Sequence, residues 1–182
     1  MAKVVISHRL HDDGMAVLEN AGVDVVITNS GDPKVMLPEL KDADGVIIRI
    51  GSIDRETMEQ CPKLKVIGRP GVGVDDVDVE AAIELGIPVV IAPGANSRSV
   101  AEHAMAMMFA CAKDMMRSDR EMRKGNFGIR SSYKAYELGG KTLGLLGYGH
   151  IGSIFAGMAA GIGMKVLVYD PFSERTPAYR GG

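Results

Sequence analysis

Runs of Val and Ile recur along the first half of the chain, and polar or mixed segments separate them. Each run is continuously apolar rather than alternating, which is typical of parallel strands covered on both faces. The sequence predicts five such strands, over residues 3–7, 23–27, 44–49, 64–68 and 87–92. The intervening segments are each long enough for two to three helical turns, and this alternation predicts an open parallel sheet. Gly22 and Gly86 each stand just past a helical segment and before a strand, where a glycine C-terminal cap is expected.

Strand–helix units in this number indicate a flavodoxin-like sheet, in which ligands bind beyond the carboxyl ends of the strands. Arg49 closes the third predicted strand, and Arg69 follows the fourth. The loop Pro70–Gly73 comes next, and its turn-forming residues allow backbone N–H groups to converge on an anion. We therefore predict an anion site here. The alternative is that both arginines are surface residues paired with acids such as Asp54 or Glu80.

Residues from about 97 to 124 follow a helical pattern with apolar positions on two faces. One stripe comprises Val100, Ala104, Met107, Cys111 and Met115, and the other comprises Ala101, Met105, Met108 and Ala112. Two apolar faces predict burial on two sides, by another domain or another subunit. We expect a homodimer through this helix, with the segment beyond Gly140 packed on the partner or poorly ordered.

The start of this helix follows Asn96, with Ser97 or Ser99 as the expected N-cap residue. Several glycines interrupt any periodicity after residue 124, which indicates an irregular connector. The predicted organisation is a flavodoxin-like domain over 1–96, a bridging helix over 97–124, and a connector with a partial nucleotide domain over 125–182.

A second kind of strand–helix unit lies near the end of the chain. A strand is predicted over 143–147, a helix to about Ile162 and a second strand over 165–169. The first strand runs into Gly147-x-Gly149-x-x-Gly152. A glycine motif of this form is weak alone, but between a strand and a helix it is typical of dinucleotide binding.

The three glycines each have a physical role in such a site. Gly147 permits the tight turn, Gly149 lets a pyrophosphate approach the backbone, and Gly152 lets the helix pack close to the strand. Asp170 ends the second strand, about 20 residues further on, where an acid accepts hydrogen bonds from a ribose diol. It would repel a 2′-phosphate, so NAD is favoured over NADP. The alternative is a glycine-rich βαβ unit without a ligand.

Composition excludes several classes of protein. The chain has 182 residues, 46% of them hydrophobic, and a formal net charge of −2, so nothing suggests a nucleic acid or an anionic membrane as partner. No apolar run reaches the roughly 18 residues of a membrane span. The amino terminus lacks the plan of a signal peptide. Cys61 and Cys111 form no CxxC pair, so we expect reduced packing residues, no metal site and a cytoplasmic protein.

The motifs "GRPGVGVDDVDVEAA", "NSRSVAEHAM" and "ELGGKTLGLLGYGHIG", in this order, resemble the D-isomer-specific 2-hydroxyacid dehydrogenases. The resemblance covers nearly the whole chain. It implies a flavodoxin-like substrate domain, a bridging dimer helix and a Rossmann domain for NAD. It also implies NAD contacts from Val100, Gly147, Tyr148, Gly149, His150, Ile151, Gly152, Asp170 and Pro171.

The resemblance is strongest to the members of that family that oxidise 3-phosphoglycerate, which implies a substrate carrying carboxylate and phosphate and a role in serine biosynthesis. The implied substrate-binding residues are Arg49, Arg69, Val72, Gly73, Asn96 and Arg130. Val72 and Gly73 would offer backbone N–H groups to the carboxylate, and the arginines would take the phosphate. Glyoxylate, hydroxypyruvate or a lactate-type acid is the alternative substrate.

The family's catalytic arginine and its glutamate–histidine pair follow the second Rossmann strand, so we expect their counterparts beyond Gly182 and an inactive chain. None of His8, His11, His103 and His150 is a convincing replacement base. One alternative function is a non-catalytic dimerising or NAD-sensing module of the same fold. Another, a flavodoxin-like signalling domain, is disfavoured by the glycine motif.

Overall fold

The computed structural model describes residues 1–131 and 135–172. The strands are β1 (Lys3–Ile6), β2 (Asp24–Ile27), β3 (Gly45–Ile47), β4 (Val66–Arg69), β5 (Val89–Ile91), β6 (Thr142–Leu146) and β7 (Lys165–Tyr169). The helices are α1 (Asp12–Asn20), α2 (Pro33–Leu40), α3 (Arg55–Glu59), α4 (Val79–Glu84), α5 (Ser97–Ala112), α6 (Met115–Arg123) and α7 (His150–Gly161), with a 3₁₀ helix over Phe127–Ser131. The chain forms two compact units, residues 1–93 and 94–182.

The first unit is built on a parallel sheet with strand order β2-β1-β3-β4-β5, which confirms the predicted flavodoxin-like architecture. Val5 on the interior strand β1 pairs with Val26 on one side and Val46 on the other. Val5, Val46 and Ile67 are buried, as expected for strands covered on both faces. Helices α2, α3 and α4 supply further buried side chains to the same core, including Met36.

Local sequence signals explain where the helices of this unit begin and end. Gly22 and Gly86 follow α1 and α4 with positive φ of 65° and 70°, as the predicted glycine C-terminal caps require. Aspartates stand at the N-caps of α2, α3 and α4, and each side chain accepts a hydrogen bond from the first turn: Asp32, Asp54 and Asp78. These caps direct the loops toward the carboxyl edge of the sheet.

The loops that follow β2 and β3 meet each other although β1 lies between the two strands in the sheet. The N–H of Ser52 donates to the carbonyl of Gly31 at 3.2 Å. A Cβ atom at Gly31 or Gly51 would fall on the backbone of the opposite loop, and Gly51 also has φ of 106°. The two glycines therefore let the loops cross beyond the end of β1.

The second unit contains β6 and β7, a parallel pair in which Leu143 faces Val166. Helix α7 packs against this pair and against α5. The core of the unit is formed by Ala112, Leu138, Ala156, Ala159, Met164 and Val166. Residues of the same chain thus cover one face of the two-stranded sheet, and the expected packing on a partner subunit stays a prediction.

The predicted helix over 97–124 is two helices, α5 and α6, separated at Asp114, whose φ is 49°. The carbonyl of Ala112 accepts a hydrogen bond from the N–H of Tyr136 at 3.1 Å, and the ammonium of Lys113 donates to the carbonyl of Tyr136 at 2.9 Å. The N–H of Tyr136 binds the last carbonyl of α5, so α5 ends there and the prediction of one continuous helix was wrong. The residue that ends α5 is distant from it in sequence.

The expected N-cap residue of α5 was also wrong. Asn96 occupies that position, without a side-chain capping bond, and Ser97 is the buried first residue of the helix. The two apolar stripes of α5 differ in environment. Ala101 and Ala112 on the second stripe are buried, whereas Val100 and Met107 on the first are exposed among the described residues.

Candidate functional site

The carboxyl ends of β1, β3 and β4 bring three polar residues of the first unit together. Ser7 follows β1 and is fully buried, and its Oγ accepts the N–H of Arg49 at 2.9 Å and the N–H of Ile50 at 3.3 Å. Arg69 ends β4, and its Nη1 donates to the carbonyls of Ile48 at 3.1 Å and Arg49 at 2.7 Å. The structure thus joins the two predicted arginines through the backbone of one of them.

The guanidinium of Arg69 also pairs with an acid, but with neither of the two that the sequence suggested. Its Nη2 lies 3.0 Å from Oδ2 of Asp76, in the loop after β4. The alternative of an arginine paired with a nearby acid therefore holds for Arg69, with Asp76 in place of the two examples. Within the described part of the chain, Nε of Arg69 is buried and has no hydrogen-bond partner. Most of the donors on this arginine therefore point into the protein.

The side chain of Arg49 is exposed and lines a cavity of about 340 Å³. The other lining residues are Leu10, His11, Gly14 and Pro70. Val72 and Gly73 are exposed in the neighbouring loop, and among the residues that the structure describes neither backbone N–H has an acceptor. An exposed cation and two open N–H groups at the carboxyl edge of a parallel sheet can bind an anionic ligand.

The three glycines of the turn in the second unit have backbone surroundings compatible with the roles expected for them, of which the approach of a pyrophosphate stays a prediction. Gly147 has φ of 99°, in the region that favours glycine. A Cβ at Gly149 would meet no described heavy atom within 4 Å, so its surroundings are open. A Cβ at Gly152 would fall on the carbonyl oxygen of Gly147, so only glycine lets α7 pack this close to β6.

Helix α7 begins directly after Gly149, and its first-turn N–H groups have no acceptor inside the helix. The first bond back along the chain runs from the N–H of Ser153 to the carbonyl of Gly149, at 2.9 Å. The open N–H groups before it belong to residues 150–152. With the positive end of the helix dipole, they make the turn suited to a phosphate group.

Asp170 holds the glycine turn in place, a role that the spacing of the motif did not reveal. Its Oδ2 accepts the N–H of Tyr148 at 2.6 Å, and its Oδ1 accepts the N–H of Phe172 at 2.8 Å. The carboxylate thus binds the backbone of the glycine turn and the backbone that follows β7.

The remaining predicted cofactor residues lie in the same unit. The ring of His150 lies close to Gly94: its Cδ2 would be 3.9 Å from the Cβ of a larger residue at that position. Ile151 and Pro171 are exposed, whereas Tyr148 packs its side chain against the core of the unit and offers the turn only its backbone. Val100 on α5 is exposed as well.

Two predicted substrate residues, Asn96 and Arg130, belong to the second unit. Arg130 lies in the 3₁₀ helix, with its guanidinium carbon 4.7 Å from the ring centroid of Phe127, a cation–π contact. Asn96 is exposed just before α5.

The histidines show no catalytic pairing. Nδ1 of His11 lies 3.3 Å from Oδ2 of Asp13, but both side chains are almost fully exposed, and this histidine caps α1. Nδ1 of His8 lies 3.5 Å from Oγ of Ser7. In residues 1–131 and 135–172 no cluster of metal-ligating side chains occurs. None of the helices in those ranges has the length and apolar character needed to cross a membrane.

Comparison with known proteins gives one family. The family model "D-isomer specific 2-hydroxyacid dehydrogenase, catalytic domain" matches residues 4–176. D-3-phosphoglycerate dehydrogenase of Methanocaldococcus jannaschii is 42% identical over 179 residues, which are 98% of this chain and 34% of that protein. The Archaeoglobus fulgidus protein of the same name is 34% identical over 99% of this chain and 34% of its own length. The chain thus spans about a third of these relatives.

Solved structures agree. The 3-phosphoglycerate dehydrogenase of Entamoeba histolytica with bound NAD⁺ is 35% identical with a TM-score of 0.76, covering 97% of this chain and 56% of that one. D-Lactate dehydrogenase of Aquifex aeolicus, complexed with NAD and lactic acid, is 32% identical with a TM-score of 0.81, covering 94% and 52%. The family match, these relatives and the shared fold lead to one conclusion: the chain belongs to the D-isomer specific 2-hydroxyacid dehydrogenases.

Proposed function

We propose that this chain acts in the NAD-dependent oxidation of the CH–OH group of a D-2-hydroxy acid, with 3-phosphoglycerate as substrate and 3-phosphohydroxypyruvate as product. The observation that carries the proposal is the glycine turn, where Gly149 is open and Gly152 lies against Gly147, with Asp170 bound to the same turn. NAD, when bound, accepts the hydride that leaves the substrate carbon. The relatives named for 3-phosphoglycerate support the choice of substrate.

The residues of the turn bind the dinucleotide in distinct ways. The N–H groups of residues 150–152 receive the pyrophosphate, because they are aligned with the dipole of α7. Asp170 receives the hydroxyl groups of the adenosine ribose and repels a 2′-phosphate, so the site takes NAD rather than NADP. Ile151 and Pro171, which are near the turn and Asp170 in sequence, are exposed, and Val100 is the further cofactor contact that the resemblance implies.

The acid substrate binds at the carboxyl edge of the parallel sheet. Arg49 is exposed into the cavity and offers a planar fork of N–H donors to a phosphate or carboxylate. The open N–H groups of Val72 and Gly73 receive the second anionic group. Asn96 and Arg130 of the second unit are the further substrate contacts that the resemblance implies.

Calorimetry with 3-phosphoglycerate and glyoxylate tests the substrate site. Arg49→Ala is expected to weaken binding of 3-phosphoglycerate by about 10- to 100-fold, the effect of losing charge-assisted hydrogen bonds. Glyoxylate, which has no phosphate, should lose less. Arg55→Ala is the matched control, because this arginine of the same unit pairs with Glu84 at 2.8 Å on the surface. Equal losses for Arg49→Ala and the control would refute the site.

The exposed stripe of α5 supports a homodimer. The apolar side chain of Met107 on α5 is half exposed among the described residues, and Met116 and Met122 on α6 are at least half exposed. Apolar residues in a contiguous patch are typical of a subunit interface. Light scattering on Met107→Asp, compared with the parent chain, tests the interface. A parent chain that is monomeric at micromolar concentration would refute it.

The cytoplasmic location stays a prediction.

A further inference from the structure

The backbone of Arg49 is held at both of its polar groups by side chains of neighbouring strands. The hydroxyl of Ser7 accepts its N–H at 2.9 Å, and Nη1 of Arg69 donates to its carbonyl at 2.7 Å. Ser7 is fully buried, and the side chain of Arg69 is only 19% exposed. The hydroxyl of Ser7 is therefore shielded from competing water, which makes its hydrogen bond to Arg49 stronger than one on the surface, whereas the bond from Arg69 lies at the surface and is short.

The side chains of Ser7 and Arg69 bind the backbone just after β3, where the regular hydrogen bonds between the strands have ended. The last regular bonds beside Arg49 run from the N–H of Ser7 to the carbonyl of Ile47 and from the N–H of Ile48 to the carbonyl of Gly68. Among the described residues, the backbone that follows Ile48 forms no further regular hydrogen bonds with the backbone of β1 or β4. The direction of a side chain follows the backbone that carries it, so the hold on Arg49 sets where its guanidinium reaches.

Arg69 is poorly placed to bind an anion itself. An arginine has five N–H donors, two on each Nη and one on Nε. Both donors on Nη1 go to backbone carbonyls, Nη2 pairs with Asp76, and Nε is buried. An end-on bidentate contact to phosphate needs Nη1 and Nη2 together, and that pair is occupied.

We propose that Ser7 and Arg69 form a clamp that positions Arg49 for the anionic substrate, that Asp76 holds Arg69 in the clamp, and that Arg69 is a positioning residue rather than a phosphate ligand. The inference rests on the proposed function, because it takes Arg49 as the substrate contact. It assigns different tasks to the two arginines that the sequence treats alike.

A double-mutant cycle on 3-phosphoglycerate binding tests the clamp by calorimetry. Ser7→Ala is expected to weaken binding about 3- to 10-fold, the range of one hydrogen bond. In an Arg49→Ala background the same change should have no further effect, whereas general destabilisation would act in both backgrounds. Ser30→Ala is the matched control: Ser30 lies in the loop after β2, and its hydroxyl accepts the N–H of Asp32 at 3.1 Å. The clamp would be overturned if Ser7→Ala had equal effects in both backgrounds, or if Ser30→Ala weakened binding as much as Ser7→Ala does.

Asp76→Ala gives a second measurement whose sign decides between the two roles of Arg69. If Arg69 bound the phosphate, removal of a carboxylate 3.0 Å from its Nη2 would strengthen anion binding. The clamp requires the reverse, a loss of about 2- to 5-fold, because Arg69 is released. Asp76 is about half exposed, so the variant is expected to fold. Tighter binding of 3-phosphoglycerate would overturn the assignment of Arg69.

Amide hydrogen exchange separates failure of the clamp from failure of the proposed function, because it needs no ligand. Ser7→Ala should speed exchange at Arg49 and Ile50 by more than Ser30→Ala does. Unchanged exchange would overturn the clamp while the substrate site stands. Faster exchange at these two amides, together with unaltered 3-phosphoglycerate binding in Arg49→Ala, would overturn the proposed function and with it the positioning role.

Discussion

Replacement of Gly149 by alanine adds one methyl group where the protein itself leaves room for it. No described heavy atom lies within 4 Å of the new Cβ, and the backbone at φ −75° and ψ −158° is extended. Glycine and alanine differ at such a position by less than about 1 kcal/mol of folding free energy, because lost N-cap preference opposes reduced freedom of the unfolded chain. The free protein should therefore keep its stability.

Dinucleotide binding should respond differently, because the methyl group occupies the approach to the N–H groups of residues 150–152. NADH at about 100 times its dissociation constant should stabilise the parent chain by about 2.7 kcal/mol, or about 5–10 °C in melting temperature. We expect Gly149→Ala to abolish that shift in a thermal-shift titration while the melting temperature without ligand stays within about 3 °C.

Gly152→Ala is the informative companion. Its Cβ would fall on the carbonyl of Gly147, so α7 must move away from β6. We expect a loss of about 3 kcal/mol of folding free energy without any ligand, at the upper end for overpacking. If Gly149→Ala retains the full NADH shift, or if Gly152→Ala is as stable as the parent, the roles assigned to the two glycines are wrong.

Three further predictions concern other sites. Asp170→Asn keeps the acceptor for Tyr148 but removes the charge, so the preference for NADH over NADPH should fall about tenfold in calorimetry; an unchanged ratio would refute the role of Asp170 in selectivity. Hydrogen bonds from Thr57, first from its hydroxyl and then from its N–H, lower the pKa of Asp54 in the folded protein. The ionised Asp54 therefore stabilises the fold at pH values above the pKa that it has in the unfolded chain. This stabilisation is lost as the pH falls through the pKa of Asp54 in the folded protein. Acid unfolding of Asp54→Asn should therefore vary less with pH between about 5 and 2; an identical profile would contradict this. Burial raises the pKa of the Cys61 thiol, so an alkylating reagent should leave Cys61 unmodified and label the exposed Cys111. The labelling of Cys111 should slow as the proposed homodimer forms. Labelling of both thiols at equal rates would contradict the burial of Cys61.

The sheet of the first unit could be predicted from sequence because its signals are local. Continuous Val and Ile runs mark strands buried on both faces, and the five observed strands lie within the predicted runs or one residue beyond them. Gly22 and Gly86 marked helix ends because only glycine adopts positive φ readily. The order of the strands followed from the alternation with helices and from the rules for parallel sheets.

Long-range contacts account for what the sequence did not reveal. The carbonyl of Ala112 is taken by Tyr136, far along the chain, so periodicity alone indicated one continuous helix. The bond from Arg49 to the hydroxyl of Ser7 spans 42 residues and joins two strand ends, and no motif marks a serine for that task. Asp76 was likewise indistinguishable from Asp54 as a partner for Arg69.

The crossing of the loops at Gly31 and Gly51 ties together two parts of the chain that would otherwise evolve independently. Surface loops usually accept insertions, because the entropic penalty of extra length is small. Here each loop occupies the space into which the other would expand, and the carbonyl of Ile50 lies against Gly31. Length changes in the loops after β2 and β3 should therefore be inherited in pairs across homologous sequences, and a library that randomises one loop alone should yield few folded members.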